Sequence, residues 1–231
     1  MIVGIHQPNY IPWLGYFYKI AKSDVFVLLD NVNYTKNSFI NRNKIKTQNG
    51  GVWLTVNVLT KGRYGQLINE VEIDNSKLWN KVHWKTIFFN YSKAPLFNEY
   101  GHFLEEIYER KWEKLIDLNE SLIKLICELS GIKNVKFIRA SELNASGNGT
   151  DLLIDICKKL GADTYLSGFG GRNYMEEKKF KGDDIELKYY DFKHPIYKQL
   201  WDGFVPNLSV IDFLFNDSSI INMLNGTTEE T

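Results

Sequence analysis

Two uninterrupted apolar runs near the N-terminus, Ile2 to Ile5 and Val25 to Leu29, constrain this chain most. Between them, Leu14, Phe17, Tyr18 and Ala21 recur at helical spacing, and Lys22-Ser23-Asp24 breaks the pattern. Strand, short helix, strand is a βαβ unit. Strands that are apolar on both faces belong to a parallel sheet covered on both sides. A similar unit recurs later: Val135 to Ala140 reads as a strand, Thr150 to Leu160 as a helix with Thr150 as N-cap, and Thr164 to Leu166 as a short strand. Glu186 to Phe192 reads as one more strand, and short helices are expected from Ser209.

Between these units the pattern changes. The runs Phe39 to Thr47 and Val52 to Val58 flank Gln48-Asn49-Gly50-Gly51, a strong hairpin signal. Val71 to Ile73 suggests a short strand, and residues 76–131 carry helical periodicity up to Gly131. The expected fold is therefore α/β, a mainly parallel sheet with flanking helices, a β-hairpin insertion and a helical middle segment. We expect one domain over residues 1–224, with residues 225–231 as a disordered polar tail.

With 231 residues the chain is long enough to bury a substantial core. Lys plus Arg equals Asp plus Glu, at 28 each, which argues against nucleic acid as the main partner. Cys127 and Cys157 fall in apolar helical patterns and read as buried thiols, as in a reducing, cytoplasmic setting. No run approaches the ~18 apolar residues of a membrane span. No signal peptide pattern and no metal-ligand spacing are present, and no cofactor is indicated.

The candidate site residues cluster after strands. His6 follows the first strand and opens a loop with Gln7, Asn9 and Tyr10, stiffened by Pro8 and Pro12. A histidine there suits acid–base work or an oxygen ligand, and equally a backbone hydrogen bond. Trp13 and Tyr16 offer either stacking faces or helix packing. Ser167, Gly168, Gly170, Gly171 and Arg172 form a second loop, suited to an anion or to a simple tight turn. In open α/β sheets, ligands bind beyond the carboxyl ends of the strands. If the strands before these loops are neighbours, both loops face one pocket. Arg42, Lys44 and Lys46 alternate along one hairpin strand and read as a solvated face. His194 reads as a second acid–base candidate or a loop contact, Asp212 as a helix-cap residue, and His83 and His102 as structural.

The segments HQPNYIPWLGYFYKIAKSDVFVLLD, NRNKIKTQNGGVWLTVNV, ADTYLSGFGGRNYM and HPIYKQLWDGFVPNLSVIDFLFN resemble the WbqC-like protein family, up to about residue 216. The matching positions are His6, Gln7, Pro8, Asn9, Tyr10, Trp13, Gly15, Asp30, Arg42, Ser167, Gly168, Gly170, Arg172, His194, Pro195 and Ser209. The resemblance implies a bacterial enzyme of O-antigen or other surface-polysaccharide biosynthesis. Its implied reaction is transfer of a glycyl or other acyl group to the amine of a nucleotide-linked amino sugar. The donor would be an acyl or aminoacyl carrier, and the charge balance leaves a carrier tRNA open as that donor without making nucleic acid the main partner. His6 or His194 would take the proton from the amine. Gln7, Asn9, Tyr10, Trp13, Tyr16, Asp30, Arg42, Ser167, Gly168, Gly170 and Arg172 would bind substrate. Two alternatives stand beside it. One is a nucleotide-dependent ligase or nucleotidylyltransferase-like enzyme, although the HxGH box of nucleotidylyltransferases is replaced here by IPWLGYF. The other is a non-catalytic binding protein of the same pathway.

Overall fold

A computed structural model describes residues 1–173 and 175–217. Five parallel strands form the central sheet: β1 (Ile2–His6), β2 (Val25–Leu28), β5 (Lys136–Arg139), β6 (Thr164–Gly168) and β7 (Glu186–Tyr190), in the order β5-β2-β1-β6-β7. β1 is central. Its register pairs Val3 with Val25 on one side and with Tyr165 on the other. The chain leaves β1 toward β2 and later returns to β6 on the opposite flank, so the strand order reverses at β1. Such a switch point opens a crevice at the carboxyl ends of the strands. The two loops singled out in the sequence follow β1 and β6, which are hydrogen-bonded neighbours.

The period of two along each strand sorts the core into two layers. Val3, Ile5, Val25 and Val27 face α5 (Thr150–Leu160) and α6 (Glu177–Gly182), packing with Ile154, Ile156 and Phe180. Phe26 and Leu28 face the other layer, built from α1 (Leu14–Ala21), α4 (Leu115–Leu129) and α7 (Val210–Asn216). Helices α2 (Trp79–Tyr91) and α3 (Phe97–Glu109) extend that layer. The hairpin β3 (Arg42–Thr47) and β4 (Gly50–Thr55) pairs separately, with Arg42 opposite Thr55 and the turn at residues 48–49.

Several sequence expectations need correction. Thr150 is the first residue of α5 and Gly149 caps it, while Thr150 Oγ1 accepts from the amide of Glu176 at 3.2 Å. Val71 to Ile73 is no strand; Ile73 and Glu72 make only isolated bridges to Val58 and Lys114, after a 3-10 turn at Ile68–Glu70. α6 has no counterpart in the sequence reading. Lys46 does not share a solvated face with Arg42 and Lys44. It is fully buried, and its Nζ donates to the carbonyls of Gly203 and Trp201. The β3 strand is covered by α7 and the 200–208 segment, which overrides the alternation. The expected tail at residues 225–231 lies outside the described residues.

Candidate functional site

A cavity of about 770 Å³ opens at the carboxyl ends of β1 and β6. From β1 come Ile5, His6 and Gln7, and from β6 and its loop Ser167, Gly168, Gly170 and Gly171. Leu29 and Val32 close the β2 side, and Gly149, Leu152 and Leu153 bring the N-terminal turn of α5. Tyr190, Asp191 and Phe192 follow β7, and Trp13 and Lys19 complete the wall.

The loop after β1 is held rigidly. Asn119 Nδ2 donates to the carbonyls of Pro8 (2.9 Å) and Ile40 (2.8 Å), and Asn43 Nδ2 donates to Ile11 O at 2.8 Å. The Tyr16 hydroxyl donates to Gln7 O at 3.2 Å. Ile11 sits at φ +35°, a strained value for a β-branched residue. Strain of this kind persists only where the surroundings over-determine it, and it clusters at functional sites.

His6 Nδ1 lies 3.0 Å from the carbonyl of Gln7, which only accepts. Nδ1 therefore carries the hydrogen, and Nε2 bears the lone pair. Burial, with a smaller contribution from Lys19, pushes the imidazole down to about 4, so it is neutral at physiological pH. Tyr16 packs edge-on against the His6 ring at 4.8 Å. Trp13 meets Phe192 edge-on at 5.4 Å, giving two aromatic faces beside the cavity. Ser167 is buried and donates to Gly168 O at 3.1 Å. At Gly171 a Cβ would overlap Ser167 Oγ and crowd Met175 Cε, so any larger residue would have to displace both side chains beside the cavity.

The residues expected from sequence separate into two groups. His6, Gln7, Trp13, Ser167, Gly168 and Gly170 line the cavity. Asn9, Tyr10, Tyr16, Asp30, Arg42, Arg172 and His194 do not. Asn9 is buried in the loop, and Tyr16 supports His6 and Gln7 from behind. Tyr10 is fully buried and turns toward the helices, with its hydroxyl 2.8 Å from His83 Nδ1 and 2.6 Å from the Tyr108 hydroxyl. Asp30 accepts from the amide and hydroxyl of Ser141 at 2.8 and 2.7 Å, fastening the chain after β5 to the end of β2. Arg42 stacks over Trp53, with Cζ 4.3 Å from the ring centroid. Arg172 lies over Tyr189 at 4.8 Å. His194 Nδ1 is 2.8 Å from Pro195 O, and its ring stacks on Tyr197 beside Phe192.

Asp212 does more than serve a helix cap; Ser209 provides that cap for α7. The fully buried Asp212 carboxylate accepts from Tyr91 (2.7 Å), Tyr197 (2.6 Å) and Gln199 Nε2 (2.8 Å). Gln199 also bonds the amide and carbonyl of Val205. This network pins the irregular segment 191–208, whose first residues, Asp191 and Phe192, reach the cavity.

Lys19 escaped the sequence reading. Every residue of α1 from Leu14 to Ile20 is buried, so its lysine has no solvent face to occupy. The available signal was a single charge within the otherwise uncharged run from Leu14 to Ala21. Lys19 Nζ donates to Ile5 O at 2.6 Å, and burial pushes its ammonium down to about 7.

A match to the WbqC-like protein family spans residues 7–220, nearly all of the chain. The chain belongs to the WbqC-like protein family. It is 40% identical over 216 residues to "Uncharacterized protein Rv1507c" of Mycobacterium tuberculosis (strain ATCC 25618 / H37Rv), covering 93% of each chain. No solved structure matches it. Among the described residues, no helix is long and apolar enough to cross a membrane, and no cluster of three His, Cys, Asp or Glu side chains is placed to hold a metal ion.

Proposed function

We propose that this WbqC-like protein is a transferase of bacterial surface-polysaccharide biosynthesis, acting in the cytoplasm. The reaction is transfer of a glycyl or other acyl group from an activated carrier to the amine of a nucleotide-linked amino sugar. The observation that carries it is the convergence of a neutral, tautomer-fixed histidine, a glycine-rich loop and two aromatic faces on one cavity at the sheet's switch point. A cavity of about 770 Å³ is of small-molecule size. The apolar faces of Trp13 and Phe192 suit a sugar or base ring. Gly149 at the start of α5 and the 168–171 loop favour the negative charge of a phosphate.

The amine nitrogen attacks the acyl carbon, the new C–N bond forms and the carrier leaves. His6 Nε2, with its lone pair unengaged by Gln7, accepts the proton that the nitrogen sheds. We assign this role to His6 rather than His194, because only His6 lines the cavity. Both cysteines are buried free thiols, in keeping with a reducing compartment.

A thermal-unfolding panel of UDP- and dTDP-linked amino sugars, ATP, CTP, coenzyme A and free amino acids tests this. A ligand at 100 times its Kd adds about 2.7 kcal/mol. Each kcal/mol moves Tm by roughly 2–4 °C at this size. A shift of roughly 5–11 °C with a nucleotide-linked amino sugar is expected. A shift with ATP or CTP and none with amino sugars would replace the transferase by a nucleotide-dependent ligase.

A further inference from the structure

Acid–base chemistry at His6 leaves Lys19, the one amine of the cavity lining among the described residues, unused. Lys19 lies in the middle of α1, is 2% exposed, and still lines the cavity. Its Nζ donates one hydrogen to Ile5 O at 2.6 Å and sits 5.5 Å from the centroid of Tyr165. No carboxylate among the described residues shapes its ionisation. Burial is the main influence, and Cys157, a buried thiol, is the other. A buried lysine without a counter-ion is costly unless it sheds its proton. With the ammonium held down to about 7, much of the amine is neutral at physiological pH, whereas an exposed lysine is almost entirely charged. Desolvated amines of this kind are the ones that attack carbonyl carbons.

We propose that Lys19 is the cavity's nucleophilic amine and condenses with an aldehyde or ketone ligand to form an imine. The nitrogen lone pair attacks the carbonyl carbon, and a C–N bond forms. Both hydrogens of the neutral amine pass in turn to the former carbonyl oxygen, which departs as water with the C–O bonding pair, and the nitrogen lone pair completes the C=N bond. No oxidant or reductant is consumed. This capacity goes beyond the acyl transfer proposed above and does not depend on it, because imine capture requires no turnover.

The test uses the wild-type protein with glyoxylate as carbonyl probe and cyanoborohydride to reduce the imine to a stable carboxymethyl amine. Peptide mass mapping then locates the adduct. At pH 7, Lys19 is expected to label roughly 10²–10³ times faster than an ordinary exposed lysine, reflecting its larger neutral fraction. Lys19→Arg should abolish the dominant adduct. An unmodified Lys19 among labelled surface lysines would overturn the proposal. So would Lys19 labelling that rises only around pH 10, in step with the surface.

Discussion

Replacing Asp212 with alanine tests whether the buried network fastens segment 191–208 over the site. The substitution removes the acceptor of three hydrogen bonds. Gln199 retains Val205 O at 2.9 Å as an acceptor. Tyr91 still accepts from the amide of Lys46 at 2.8 Å, but its own hydroxyl hydrogen loses its partner. Tyr197 loses its acceptor too, although it keeps some contact with solvent. An unsatisfied buried hydroxyl costs about 1–3 kcal/mol, with the lower end applying to the half-buried Tyr197. Against this, the variant no longer buries a carboxylate whose ionisation is disfavoured by burial. The net expectation is a loss of roughly 2–4 kcal/mol, or a Tm drop of roughly 4–16 °C. Urea unfolding followed by tryptophan fluorescence and circular dichroism measures it. Asp212→Asn keeps one side-chain oxygen and should lose about half as much. Tyr197→Phe should cost less in the Asp212→Ala background than alone, because the two share one interaction. A loss under about 0.5 kcal/mol for Asp212→Ala would refute the reasoning, since it would mean that neither phenol depends on the carboxylate.

Stability should also fall between about pH 6.5 and 4. His6 and His83 are both held down to about 4 by burial, below the ordinary value of 6.5. Their neutral forms favour the fold, so this stability is complete above pH 6.5 and is lost as pH falls through 4, at up to about 3 kcal/mol each. Asp212, shifted up by burial, opposes the trend in part. Urea midpoints unchanged between pH 7 and pH 5 would show that neither imidazole is held neutral. For catalysis, His6→Gln should lower turnover by ~10²–10⁴-fold with little change in circular dichroism, while His194→Gln should stay within a few-fold of wild type. A larger loss at His194 would transfer the proton acceptor to the Tyr197 side.

The sheet was legible because β1 and β2 are short apolar runs on either side of a helix-period segment, and because strong turn signals separate the later strands from their helices. The shared pocket of the β1 and β6 loops was legible only on the condition that their strands are neighbours, and hydrogen-bonded β1 and β6 meet that condition. What stayed hidden depended on cover from distant segments. Nothing local marks Lys46 as buried; α7 and residues 200–208 cover it from more than 150 positions away. Tyr10 sits beside cavity residues in sequence, yet its ring crosses into the α2–α3 layer to meet His83 and Tyr108. Lys19 drew no notice because burial on all sides of α1 is a tertiary fact. Segment 191–208 has no periodicity to read, and its path is set by Asp212 and Gln199.

The central claim is that ligand chemistry occurs in the cavity between β1 and β6. A crystallographic soak of small polar and aromatic fragments tests it without assuming a substrate. Fragments are expected to gather between Trp13, His6, Ser167 and Phe192. If they collect instead in the groove between the hairpin and α2, against Trp53 and Val82, with the β1–β6 cavity empty, the site has been misplaced.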